Sequence, residues 1–272
     1  MTAGTVAAPL APARRSTAPV WWLVLKQELT ELWMGGRVLT YLVLFSLLMS
    51  LTAFLLATNT ELNLLPLRQT IVVAVTSALT FGLFIGLAVA AESISGERER
   101  ATLEPLLLTP CSPRQVVAGK FLSALSPWPG AMVLTLPYLV VLAQGHAVLG
   151  SALVWGGVVG TLLAAMFVGF SLIVSIWSDS SRVSLFICLL VYAASLIPAQ
   201  LPTEFLRSPA GVVLTLIDPV ESASEFLDRV VGSGQPLSQA WPFLASPVAA
   251  TLITLAVLFG WAAPRLRLMA RA

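Results

Sequence analysis

Glu92-Ser-Ile-Ser-Gly-Glu-Arg-Glu-Arg-Ala-Thr-Leu-Glu-Pro-Leu-Leu-Leu-Thr-Pro-Cys-Ser-Pro-Arg114 is a charged interruption between two long apolar runs. Gln69–Ala91 before it contains no Asp, Glu, Lys or Arg, and Phe121–Ser178 after it contains none either. Of the 272 residues, 57% are hydrophobic and 10% charged, whereas soluble domains average roughly 25% charged residues. Uncharged runs of this length, at about 1.5 Å per residue, cross a hydrocarbon core of roughly 30 Å as helices. They lack the alternation of lipid-facing and lumen-facing residues that a membrane β-barrel needs. The expected fold is therefore an all-α membrane protein, with the charged stretch as a loop in water.

Working outward from that loop, Gln69–Ala91 is one crossing and the uncharged Val38–Thr58 is the crossing before it. Phe121–Ser178 is too long for one passage and must turn back, and Gln144-Gly145-His146 is the only suitable turn. This gives crossings at Val116–Ala143 and Leu149–Trp177. The first of these is expected to kink at Ser126-Pro-Trp-Pro-Gly130 and at Pro137. Val183–Leu201 and Ser238–Ala263 complete a set of six. Upstream, residues 1–19 read as a disordered tail and 20–36 as an interfacial helix. That helix carries Trp21, Trp22, Leu25, Leu29, Leu32 and Trp33 on one face, with Lys26, Gln27, Thr30 and Glu31 on the other. Residues 37–272 then form the transmembrane domain, including the loop 92–114 and a segment 202–237 outside the membrane. In that segment Val212–Ile217 is too short to span, so it re-enters the membrane or caps the bundle. Asp218-Pro219 breaks it, and Glu221–Val231 is expected as a short surface helix.

With the N-terminus inside, Arg14, Arg15, Lys26, Arg37, Arg98, Arg100, Arg114, Lys120, Arg182, Arg265, Arg267 and Arg271 lie on the inner side. Only Arg68, Arg207 and Arg229 lie outside. This asymmetry places both termini and the 92–114 loop in the cytoplasm of a multi-pass protein of the cell membrane. The net charge of +2 is too small to suggest nucleic acid.

Other chemistry is sparse. His146 is the only histidine, and the two cysteines, Cys111 and Cys188, offer no disulfide framework. A multi-histidine metal site and a Ser-His relay are both disfavoured, so no catalytic or metal-binding residue is assigned. No crossing is expected to bury an Asp, Glu, Lys or Arg, which argues against a proton- or sodium-coupled carrier. Hydroxyls such as Ser46, Ser50, Thr76, Thr80, Thr135, Tyr138, Thr161 and Ser175 would line a cavity suited to an amphipathic or lipid-like cargo. Gly82-x3-Gly86 and Gly156-x3-Gly160 allow close helix approach, within one subunit or at a dimer seam.

The run Glu92-x3-Gly96-Glu-x-Glu99-x2-Thr102-Leu-Glu104-x-Leu-Leu-x2-Pro110, followed by Gly119-Lys120, resembles the loop after the second crossing in type-2 permeases of ATP-binding-cassette (ABC) transporters. The six-crossing layout, the N-terminal helix and the apolar piece ending in Asp218-Pro219 are also similar to this family. The resemblance implies a coupling helix that docks a separate cytosolic ATPase, with Glu92, Gly96, Glu97, Arg98, Glu99, Arg100, Thr102, Leu103 and Glu104 in the coupling region. It also implies a second permease subunit, the same or different, and cargo movement outward. ATP and Mg would bind the partner ATPase, and this chain would bind no cofactor. The chain has no Gly-x4-Gly-Lys-Ser/Thr phosphate loop of its own, since Gly119-Lys120 lacks the upstream glycine and the hydroxyl. A membrane scaffold with a solvated juxtamembrane loop and no transport path is the alternative reading of the same stretch.

Overall fold

The computed structural model describes residues 20–58, 65–102, 112–143, 145–202 and 208–269, and no strand occurs among them. Helix α1 (Val20–Met34) comes first, and Gly36, at φ 75°, turns the chain into α2 (Arg37–Thr58). Helix α3 (Leu67–Glu92) returns, and α4 (Ser95–Glu99) is a short turn beyond its end. The next passage is divided into α5 (Pro113–Leu125) and α6 (Pro127–Ala143), followed by α7 (Val148–Trp177) and α8 (Ser181–Ser195). Helices α9 (Pro209–Ile217) and α10 (Pro219–Leu227) precede α11 (Leu237–Val257) and α12 (Ala263–Met269). The end of the bundle that carries α4 is the proximal end; α9 and α10 lie at the distal end.

Among the described residues, five helical stretches are long and apolar enough to cross a membrane: Arg37–Thr58, Leu67–Glu99, Pro113–Ala143, Val148–Trp177 and Leu237–Leu266. The fifth expected crossing, Val183–Leu201, is shorter than anticipated, because its helix ends at Ser195 after 15 residues. Pro198 has no N–H to offer the carbonyl four residues back. The chain instead tightens, with the N–H groups of Leu196 and Ile197 bonded to Ala193 and Ala194 carbonyls, before a 3-10 turn at Pro198–Gln200. The expected break near Ser126 is present between α5 and α6, while Pro137 is accommodated inside α6. In the last span a π-turn at Leu258–Ala262 separates α11 from α12.

Helix α3 is the centre of the bundle and packs against α2, α6, α7 and α8. The contact is closest around Trp128, whose indole lies between α3 and α7 and donates through Nε1 to Thr161 Oγ1 at 3.1 Å. A Cβ at Gly160 would fall 2.3 Å from Trp128 Cζ2 and 2.5 Å from Leu79 Cδ2, and one at Gly82 would fall 2.7 Å from Trp128 Cζ3. Gly156 and Gly86 meet Val75 and Val168 in the same manner, at 2.9 and 3.0 Å. All four glycines of the two small-residue motifs thus sit against side chains of their own chain.

Replacing Gly160 with Ala is expected to destabilise the bundle by about 1–3 kcal/mol, because the new methyl meets a rigid indole. Gly150→Ala, where nothing lies within 4 Å, is expected to be neutral or stabilising by up to about 1 kcal/mol. Thermal unfolding of the detergent-purified variants, followed by tryptophan fluorescence, checks both.

Candidate functional site

The proximal end is held together by α4 and the residues just before it. Helix α3 stops at Glu92, whose carboxylate accepts from the guanidinium of Arg37 at the start of α2. Two residues on, the N–H groups of Ile94 and Ser95 donate to Ser175 Oγ of α7, at 3.2 and 2.9 Å. These bonds fix where the chain leaves α3. They supply partners for two N-terminal N–H groups of a helix too short to have many of its own.

Two consecutive side chains of α4 then grip the turn between α7 and α8. Arg98 donates through Nη1 to the Ser178 carbonyl at 2.8 Å and through Nη2 to the Ile176 carbonyl at 2.9 Å, with Asp179 Oδ1 3.3 Å from Nη1. Glu99 accepts from the Ser180 hydroxyl at 2.7 Å and from the N–H and hydroxyl of Ser181. A cation therefore meets the carbonyl end of one helix and a carboxylate meets the amide end of the next, as the two helix dipoles favour.

On the opposite side of α4, Lys120 of α5 is completely buried. Its Nζ donates to Glu28 Oε1 of α1 at 2.6 Å, to Glu97 Oε1 of α4 at 2.7 Å and to the Ser93 carbonyl at 2.9 Å. The three ammonium protons thus have three acceptors drawn from three segments. Close approach of α1 to α5 makes this possible: a Cβ at Gly119 would lie 2.9 Å from Val24 Cγ1. Glu97 Oε2 has no hydrogen-bond partner among the described residues. Around this network lies a cavity of about 340 Å³, lined by Glu28, Glu31, Glu92, Glu97 and Glu99 together with Arg37 and Arg100.

Helix α4 ends in a Schellman arrangement. The Thr102 N–H bonds back to the Glu97 carbonyl at 3.0 Å and the Ala101 N–H to the Arg98 carbonyl at 3.1 Å. Ala101 takes the left-handed position of that motif, with φ 55°, where glycine is the usual residue.

Residues 22–263 match the sequence profile described as ABC-2 family transporter protein. The chain belongs to the ABC-2 transporter family. No curated protein gives a significant sequence match.

As an ABC-2 family member, the chain carries its loop after the second span in the described structure only as far as Thr102; Leu103 and Glu104 lie outside the described residues. Of the others singled out in the sequence, Glu92, Glu97, Arg98 and Glu99 converge on the contacts given above. Arg100 lines the cavity, as does Gly96, and Thr102 donates from Oγ1 to the Glu97 carbonyl at 3.2 Å. Asp218 and Pro219 are remote from this end: Asp218 Oδ1 caps α10, accepting from the Val220 and Glu221 N–H groups at 2.8 and 2.9 Å. Helix α10, expected as a surface helix, buries Ala223, Phe226 and Leu227 and packs on α11. Its alternate turns are apolar and therefore face the bundle.

The expectation that no crossing buries a charge is corrected by Lys120, which lies inside the span Pro113–Ala143. The sequence signal was the position of this lysine immediately before the uncharged run Phe121–Ser178, which requires a carboxylate partner once the helix is buried. The wheel drawn for α1 also requires revision. Leu25 and Leu32 are buried, and Glu28, which neither face included, points to Lys120. Of the hydroxyls proposed to share one cavity, Thr76 and Thr80 line the same one, while others are dispersed. Thr135 and Thr161 bond to their own helix carbonyls, Ser46 meets Tyr138, and Ser175 holds α4.

Lys120→Met leaves Glu28 and Glu97 facing each other without their cation and is expected to destabilise the protein by about 3–5 kcal/mol. Adding Glu28→Gln and Glu97→Gln should restore part of the loss, measured by thermal unfolding. Ala101→Gly relieves the left-handed alanine and is expected to raise stability by up to about 1 kcal/mol in the same assay.

Proposed function

We propose that this multi-pass membrane permease works with a separate cytosolic ATPase that docks on the α4 region, and that it exports an amphipathic cargo from the cell. In this reading the proximal end and both termini face the cytoplasm of the cell membrane, α1 lies along the interface, and two permease subunits pair. ATP and Mg act on the ATPase chain.

The observation that carries the reading is the convergence of five helices, α1, α2, α5, α7 and α8, on α4 and its flank. Through Glu92, Arg98, Glu99 and the Lys120 network, a segment of five residues and its flank is tied to α1, α2, α5 and the α7–α8 turn. A push on α4 by a partner therefore reaches several spans at once, through charge-assisted bonds that are among the stronger polar contacts available. A solvated loop of a scaffold subunit has no need of such attachment. Coupling of an outside energy source to helix tilt does.

Gentle affinity purification from native membranes is expected to bring a soluble protein with a phosphate-binding loop in stoichiometric amount, identified by mass spectrometry. Its absence under conditions that preserve membrane complexes would count against the coupled-permease reading. In a reconstituted complex, Arg98→Glu with Glu99→Lys reverses both grips on the α7–α8 turn. The expected result is an assembled complex that still hydrolyses ATP but moves cargo at a rate lowered by roughly an order of magnitude or more, consistent with loss of interactions worth about 1.5–3 kcal/mol each.

A further inference from the structure

Three cavities lie along α3. The proximal cavity shares Tyr41 with an apolar groove of about 170 Å³ between α2 and α3, and that groove shares Thr80 and Phe81 with a distal cavity of about 460 Å³ beside α10. The α3 residues that line the groove and the distal cavity, Val72, Thr76, Thr80 and Phe84, recur four apart, whereas Val89 and Glu92 of the proximal cavity lie round the helix from them. Side chains four apart share one side of a helix, and the stripe from Val72 to Phe84 covers about 18 Å at about 1.5 Å per residue. The groove and the distal cavity thus form one strip open to a ligand, with the proximal cavity beyond it.

The chemistry along the strip changes in order. The middle is apolar and aromatic, walled by Phe45, Phe81, Phe84, Tyr41 and Tyr192. At the distal end, Thr76 and Ser77 share the lining with Glu221, Glu225 and Asp228, and among the described residues no basic side chain lines the cavity. Arg229, next to Asp228, is already engaged: its Nε donates to Glu225 at 2.7 Å and its guanidinium stacks 4.3 Å from the Phe243 ring. Burial pushes the Glu221 carboxyl up, and the neighbouring Asp218 and Glu225 carboxylates add to it. Asp228 is raised by burial and by Glu225, with Arg229 opposing. Both groups therefore gain from an incoming positive charge.

We propose that this strip binds amphipathic organic cations, with the apolar body in the aromatic groove at Phe81 and Phe84 and the positive charge at Glu221 and Asp228. The proposal deepens the permease reading and rests on it for the role of transport, though binding itself needs no ATPase. The aromatic faces contribute attraction to the cation as well as contact area. Anions of the same shape are excluded by the same carboxylates, so charge sign, not size, selects the occupant.

Tetraphenylphosphonium and tetraphenylborate have closely matched shape and opposite charge, and equilibrium dialysis of both against the full chain in lipid nanodiscs separates the possibilities. Saturable binding of the phosphonium alone is expected, weakened about tenfold or more by Glu221→Gln with Asp228→Asn, as loss of roughly 1.4 kcal/mol implies. Ser77→Arg, which puts a cation in the distal cavity without touching the carboxylates, should weaken it as well. Equal uptake of both ions, or wild-type affinity in both well-folded variants, overturns the proposal. Reconstitution with the ATPase then tests the reading on which it rests: binding without ATP-driven movement of any probe leaves the site standing and removes the permease role. ATP-driven movement of other cargo without phosphonium binding does the reverse.

Discussion

A lysine ammonium buried beside a membrane span must find acceptors within reach, and Lys120 finds them on three different segments. Removing that charge from water costs several kcal/mol, so the arrangement holds only while Glu28, Glu97 and the Ser93 carbonyl remain in place together. Helices α1, α4 and α5 consequently cannot shift independently. The rest of the proximal end inherits this rigidity, since α4 also carries Arg98 and Glu99 to the α7–α8 turn. Electrostatics here sets which pieces move as one body.

Farther from the charged end, shape takes over from charge. Trp128 fills the space between α3 and α7 that Gly82 and Gly160 leave open, and the seam admits no sliding without expelling the indole. By contrast α2 and α8 show much of their apolar surface, including Val43, Leu47, Phe54, Phe186 and Leu190. The bundle is therefore built as a packed centre with two walls whose outer faces are apolar. The aromatic groove lies between one of these walls, α2, and the central α3.

The spans were legible because the end of an uncharged run is set by local composition. Val38–Thr58 became α2 (Arg37–Thr58), and Leu149–Trp177 became α7 (Val148–Trp177), each within one residue at either end. Where a backbone effect overrides hydrophobicity the reading failed, as at Pro198, which shortens α8 although the sequence stays apolar beyond it. The site was legible in location but not in wiring. Glu97, Arg98 and Glu99 could be marked as important from their place between apolar runs, whereas their partners lie about 80 residues away at Ser178–Ser181 or on Lys120. Glu28 and Lys120 are 92 residues apart in the chain. No periodicity reports a pairing of that kind, since it depends on which helices become neighbours.

Helix α8 has 15 residues, which is about 22 Å of rise against a hydrocarbon thickness near 30 Å. Its outer surface is nonetheless apolar, with Val183, Phe186, Leu190 and Val191 exposed. Where this wall meets lipid, a thinner bilayer fits it best, and each ångström of mismatch costs a fraction of a kcal/mol. Lipid chain length thereby becomes a variable of the protein's own energy: short-chain lipids relax that edge, and long-chain or sterol-rich ones strain it.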